Sequence, residues 1–119
     1  MKISDLQKKI REFVRLRDWE KYHDPKNLTM ALAGEVGELL EIFQWLSPKE
    51  AKQVMKDPVT AKQVRHELAD IFVYLLRLSD KLQVSLEEAV QEKLIHNQKK
   101  YPVHLSKGVA TKYNRLKTK

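Results

Sequence analysis

Two pairs of acids lie inside stretches that otherwise read as apolar helices: Glu35-Val-Gly-Glu38 and, about thirty residues later, Glu67-Leu-Ala-Asp70. At i,i+3 both side chains of a pair point to one helix face. Each pair flanks an apolar stripe instead of opposing it, so packing the two stripes together brings four carboxylates close. Like charges resist that approach, and burial adds to the cost. A divalent cation resolves both conflicts, and oxygen ligands on rigid helices suit Mg²⁺, with Mn²⁺ as a substitute. The chain is therefore expected to be a helical bundle that carries a metal site between two of its helices.

The rest of the sequence agrees with helices. Three Gly and four Pro in 119 residues leave few breakers. The spacing predicts a first helix over Ser4–Tyr22, opened by a Ser4-x-x-Gln7 capping box. Pro25 discourages helical geometry at Asp24, and Asn27 reads as the N-cap of a second helix over Leu28–Leu46. Leu28, Leu32, Val36, Leu39 or Leu40, Phe43 and Leu46 form its apolar stripe, with Ala31, Glu35, Glu38, Ile42 and Trp45 alongside. Gly34 and Gly37 cost this helix about 1 kcal/mol each against Ala, which points to a close approach by another helix or a ligand. Ser47-Pro48-Lys49-Glu50 starts a short helix that reaches Lys56 and ends at Asp57-Pro58. A third main helix comes next over Thr60–Leu82, its core lined by Leu68, Ile71, Phe72, Leu75, Leu78 and Leu82, with Glu67, Asp70 and Tyr74 on a neighbouring face. Ser85-x-x-Glu88 opens the fourth, from Leu86 to Lys99 or Lys100.

The fold class is all-α: four main helices in a bundle, with a short extra helix between the second and third. Residues 1–102 form one domain and 103–119 a loose basic extension. The net charge of +7 resembles a nucleic-acid signal, but every excess positive charge lies between Lys99 and Lys119. A nucleic-acid-binding module built on that extension is the rival reading and a purely structural helical partner another; membrane association is not expected. The absence of Cys excludes disulfides and thiolate chemistry and fits a reducing compartment. No signal-like apolar segment comes after the first residues, so a soluble cytoplasmic protein is expected. Glu20-x-x-His23 has di-iron spacing but occurs once, at a predicted helix end, and does not make such a centre.

Further motifs carry a resemblance. The run Asp18-Trp19-Glu20-Lys21-Tyr22-His23-Asp24-Pro25-Lys26-Asn27-Leu28 precedes the first acid pair, and Phe43-Gln44-Trp45 lies just beyond it. Glu67-Leu68-Ala69-Asp70 comes next, and Lys93, Asn97 and Lys99-Lys100-Tyr101-Pro102 stand near the end. Over residues 5–102 the chain resembles the MazG-like all-α nucleotide pyrophosphohydrolases, and within them the dCTP pyrophosphatase branch. Gly34 stands where the broader pattern often has an acid, as it does in that branch. The resemblance implies that Glu35, Glu38, Glu67 and Asp70 bind Mg²⁺. It also implies cleavage of a (deoxy)nucleoside triphosphate between its α- and β-phosphates, with dCTP or a modified dCTP as first candidate, in the service of nucleotide-pool sanitation. Homodimers or homotetramers are implied too, and a small core makes them physically sensible.

Both readings also suggest substrate contacts. Lys93, Asn97 and Lys100 share one helix face and are expected to hold phosphates, with Tyr101 beside them. His23 and Asn27 resemble residues of a base pocket. Trp45, two turns beyond Glu38, is expected to stack a base, and Tyr74 to pack against the sugar. Trp19 is assigned to packing.

Overall fold

The computed structural model describes residues 1–116; Lys117 and Lys119 of the basic extension lie outside the described residues. It contains α1 (Ile3–Leu16), α2 (Pro25–Phe43), α3 (Pro48–Ala51), α4 (Pro58–Leu82), α5 (Leu86–Lys100) and α6 (Val103–Ser106), with 3₁₀ turns at Glu20–Tyr22, Val54–Lys56 and Tyr113–Arg115. Among the described residues there is no strand, so the architecture is all-α as expected. No helix among them is long and apolar enough to cross a membrane. The chain forms two compact units, Met1–Gln83 and Val84–Lys119.

In the first unit α2 and α4 pack along each other and α1 lies against α4. Val14, Leu28, Ala61, Val64 and Leu76 are its buried apolar residues. This core is narrower than the stripes predict. Leu28 is buried, but Val36, Leu40, Leu68 and Leu82 of the same stripes stay about half exposed. Arg77 and Ser79 are buried instead, and the Ser79 hydroxyl donates to the Leu76 carbonyl at 2.8 Å.

Local signals decided several boundaries differently from the predicted ones. The N-cap of α1 is Lys2, whose backbone N–H donates to Asp5 at 3.1 Å, so Ser4 lies inside the helix and the Ser4-x-x-Gln7 box is not used. The helix stops at Leu16 instead of continuing to Tyr22, because Asp18 adopts the left-handed conformation (φ 53°), and the Trp19 N–H then turns back to the Val14 carbonyl. Asp24, not Asn27, caps α2: its carboxylate accepts the Asn27 N–H at 2.9 Å, and Pro25 takes the first helical position, where its missing N–H costs nothing. At the other end α2 stops at Phe43, three residues short of the predicted limit. The short helix covers only Pro48–Ala51, and α4 begins at Pro58 under an Asp57 cap whose carboxylate accepts from Thr60 N and Oγ1. Gly34 and Gly37 face open space: beyond the chain neighbours and the backbone of α2 itself, no heavy atom of the described residues lies within 4 Å of a Cβ built at either position. The predicted close approach is therefore not made among the described residues.

The second unit comprises α5 and the residues after it. Ser85 caps α5 as predicted, accepting the Glu88 N–H. Within residues 103–116, expected as loose, Tyr113 sets its ring edge-on to Tyr101 with centroids 6.2 Å apart, and Lys100 Nζ lies 4.4 Å from the Tyr113 ring centre.

The narrow core concentrates stability at Leu76, which is 1% exposed. Leu76→Ala is expected to cost about 2–5 kcal/mol through lost burial and the cavity left behind. Urea unfolding followed by circular dichroism measures it.

Candidate metal centre and nucleotide cavity

The return of the chain from α2 into α4 brings Glu67 beside Glu35 and Glu38. One carboxylate oxygen from each of the three lies within 4.8 Å of the others. Glu38 is exposed, whereas Glu35 and Glu67 are partly buried. The Oε2 atoms of Glu35 and Glu67 are shielded from solvent and have no hydrogen-bond partner. Unpaired buried carboxylate oxygens are costly, and here two of them belong to one cluster. Asp70 stands outside the 4.8 Å cluster but near enough for its charge to act on Glu35 and Glu67.

The electrostatics record the conflict. Burial, the adjoining Glu67 carboxyl, and the charges of Glu38 and Asp70 push Glu35 up to about 7. Glu67 is raised as well, first by burial and then by Glu38 and Asp70, with the contact to Glu35 acting against the shift. A dication accepts electron pairs from hard oxygens, satisfies the unpaired atoms and cancels the repulsion in one step. The residues therefore fit a divalent metal ion, and the cluster could hold one.

A cavity of about 490 Å³ opens in the same unit, with Phe13, Trp19, His23, Asp70, Tyr74 and Arg77 among its walls. Aromatic rings, an imidazole and the fourth acid of the motif thus border one space. Phe13 and Trp19 meet edge to face at 5.8 Å. Trp19 therefore packs, as the sequence suggests, and also offers a ring to the cavity.

A polar network forms part of that wall and extends beyond it. Arg77, 3% exposed, donates from Nε to His23 Nδ1 at 3.1 Å, from a terminal nitrogen to Asp80 at 3.2 Å, and from the other to Glu20. Glu20 also pairs with Lys81, and Asp80 with Arg11 at 2.8 Å. Glu20 and His23 are thus joined through Arg77 and are no metal pair. Burial first, and then the Arg77 charge, hold His23 below its ordinary range.

The predicted residues therefore divide. Glu35, Glu38 and Glu67 come together, while Asp70, Tyr74 and His23 share the cavity. Asn27 donates its side-chain amide to the Tyr22 carbonyl at 3.2 Å, which ties down the turn before α2. Trp45 lies in the turn after α2, 87% exposed, and lines neither the cluster nor the cavity. In the second unit Lys93, Asn97 and Lys100 occupy one face of α5, and the Tyr101 N–H closes the helix on the Asn97 carbonyl at 2.8 Å. Lys100 first, then burial and Lys93, lower the neighbouring His96, as expected of a positive face. Sequence reasoning passed over Arg77, although Asp70, Tyr74 and Arg77 succeed one another at spacings of 4 and 3 on one helix face.

The chain as a whole is similar to known proteins. The family model described as MazG-like matches residues 31–116, which include both acid pairs and all of α5. The chain belongs to the MazG-like family. Two similar relatives are dCTP pyrophosphatase 1 of Mus musculus and of Homo sapiens, 43% and 39% identical over 114 residues that cover 96% of this chain and 67% of each relative. A crystal structure of a pyrophosphatase from Archaeoglobus fulgidus matches with a TM-score of 0.78 at 43% identity, covering 83% of this chain and 91% of that one. The MazG-like assignment rests on more than half of the chain.

The raised Glu35 makes the metal-free protein sensitive to pH. The folded value of about 7 exceeds the ordinary value of 4.5, so the folded state binds the proton more tightly. Its contribution to stability is full below the lower value and is lost as pH rises through the higher one. Glu35→Gln is therefore expected to raise the melting temperature in EDTA at pH 8 and to leave it unchanged at pH 4. Added Mg²⁺ should stabilise the wild type at pH 8 more than the variant. Thermal melts with and without the ion test both statements.

Proposed function

We propose that this chain hydrolyses dCTP, or a modified dCTP, between the α- and β-phosphates to yield the nucleoside monophosphate and pyrophosphate. By its relatives it is a nucleoside triphosphate pyrophosphohydrolase. The choice of dCTP rests on the names of the Mus musculus and Homo sapiens relatives; removal of unwanted nucleotide from the pool is the service that the family resemblance implies. The observation that carries the reading is the acid cluster: three carboxylates from two helices, with two buried oxygens left unpaired, in the unit that also holds an aromatic cavity.

Glu35, Glu38, Glu67 and Asp70 would hold Mg²⁺. When bound there, the ion supplies Lewis acidity and the positive charge that lets a polyanion approach four acids. A carboxylate oxygen of the cluster that is left free takes the proton of the attacking water as its oxygen adds to phosphorus. The leaving pyrophosphate carries the electron pair of the broken P–O bond. In the cavity Tyr74 packs against the deoxyribose, where its bulk disfavours a 2′-hydroxyl, and His23 and Trp19 meet the base. Lys93, Asn97, Lys100 and Tyr101 are assigned to the phosphates on the resemblance and on the positive face of α5. Asn27 acts through the turn that carries His23. Trp45 keeps its assignment to base stacking, as an exposed ring outside the cavity walls.

We also assign a homodimer or homotetramer. Val36, Leu40, Leu68 and Val73 are exposed on α2 and α4, and the buried core is small for a chain of this length. Sedimentation equilibrium at micromolar concentration should return a species larger than one chain; a monomer would overturn this assignment.

Glu38→Gln and Glu67→Gln should each lose most dCTP turnover, measured as pyrophosphate release, with the far-ultraviolet circular dichroism unchanged. Both keep shape and remove one charge, so near-normal turnover in both would take the cluster out of the chemistry. Trp19→Ala should raise KM for dCTP about tenfold, within the range of a lost base–aromatic stack. Trp45→Ala, measured in parallel, should raise KM as well, and an unchanged KM would take the ring out of base binding.

A further inference from the structure

We infer that Arg77 is a positioning residue for base recognition: it fixes His23 as a hydrogen-bond donor toward the cavity by occupying the Nδ1 nitrogen. The inference deepens the proposed function and rests on it for the identity of the ligand.

The geometry is specific. Arg77 Nε lies 3.1 Å from His23 Nδ1. A guanidinium has five N–H donors and no acceptor, and it does not deprotonate in a protein. A ring nitrogen that receives its hydrogen bond must therefore present a lone pair. Neutral imidazole has one such nitrogen, so the proton resides on Nε2. His23 borders the cavity, and with Nδ1 taken up, Nε2–H is the polar atom it can offer to a bound molecule. A free histidine could present either a donor or an acceptor. This one is committed to donating, and it pairs with an accepting edge such as the O2 or N3 of a cytosine ring.

The surrounding charges hold Arg77 in that role. Each of its two terminal nitrogens is anchored, one by Glu20 and the other by Asp80, and the side chain is nearly inaccessible to solvent. The charged groups facing the imidazole are Glu20 from the preceding 3₁₀ turn and Arg77 and Lys81 from α4, with Asp70 of α4 and Lys9 of α1 on the same cavity. Burial and the Arg77 and Lys81 charges lower His23, which favours the neutral ring. Both anchors also have a second partner. Glu20 keeps Lys81 and Asp80 keeps Arg11 when Arg77 is removed, so Arg77→Met leaves neither carboxylate alone.

The test begins with the wild-type protein and needs no substrate. Proton–nitrogen correlation spectra of ¹⁵N-histidine protein show which imidazole nitrogen carries the proton. For His23, assigned by comparison with His23→Gln, the proton is expected on Nε2 at pH 7.5, and a proton on Nδ1 would overturn the inference. In Arg77→Met the preference should relax toward the mixture of a free ring. KM for dCTP should rise about tenfold, as expected for one hydrogen bond lost or misdirected, with kcat within about twofold. Arg77→Lys, which restores a cationic donor, should recover much of the KM. Arg11→Met cuts the same network at Asp80 without touching His23, and it should change neither the spectrum nor KM. Equal losses in Arg77→Met and Arg11→Met would reduce Arg77 to a structural role and overturn the inference. A wild type that shows Nε2–H but hydrolyses no nucleoside triphosphate would refute the proposed function alone, leaving the contact between Arg77 and His23 standing.

Discussion

The pairing of α2 with α4 places apolar stripes and acids on adjacent faces of the same two helices. Burying Leu28 and Leu76 along this pair carries Glu35 and Glu38 to Glu67 whether or not the carboxylates gain by it. The hydrophobic contribution is spread over the length of the helices, whereas the electrostatic cost is confined to one turn of each. Packing therefore prevails, and the cost remains visible as two unpaired buried oxygens and a Glu35 raised to about 7. A divalent cation would relieve that cost, and the chemistry of the donors allows one to bind.

The same helices hold a second buried charge on different terms. Arg77 is as buried as the apolar core, yet its hydrogen bonds all go to acceptors: Glu20, His23 and Asp80. A buried ion whose hydrogen bonds are satisfied costs far less than an unpaired one, and breaking such a set leaves its partners stranded. The acid cluster thus lacks partners where a ligand would supply them, whereas every nitrogen of the arginine has an acceptor. Such a set of bonds holds the His23 ring in one orientation at the edge of the cavity.

The exposed apolar residues have a related meaning. Val36 and Leu40 on α2 and Leu68 on α4 lie on the predicted core stripes, yet they remain about half exposed. Gly34 and Gly37 leave open space at the same helix. Amphipathic patterning marks a face to be covered and does not specify whether the cover comes from the same chain or another.

Much of the fold was legible because helix signals are local. The scarcity of breakers, the 3.6-residue spacing and the cap at Ser85 marked the main helices, the cap at Ser47 marked the short one, and the acid pairs stood out because i,i+3 spacing on an apolar helix is visible without any tertiary information. Boundaries were less legible where two capping signals competed. Asp24 prevailed over Asn27 because Pro25 takes the first helical position best, and Asp18 ended α1 through a backbone conformation that no apolar pattern reveals. Only the tertiary structure decided matters that join residues far apart in sequence. Whether Glu67 meets Glu35, whether Trp19 only packs or also walls a cavity, and which nitrogen of His23 is free all depend on how α4 returns beside α1 and α2. Arg77 lies 54 residues from His23, and a contact across that distance is fixed by the packing of whole helices, which local spacing does not encode.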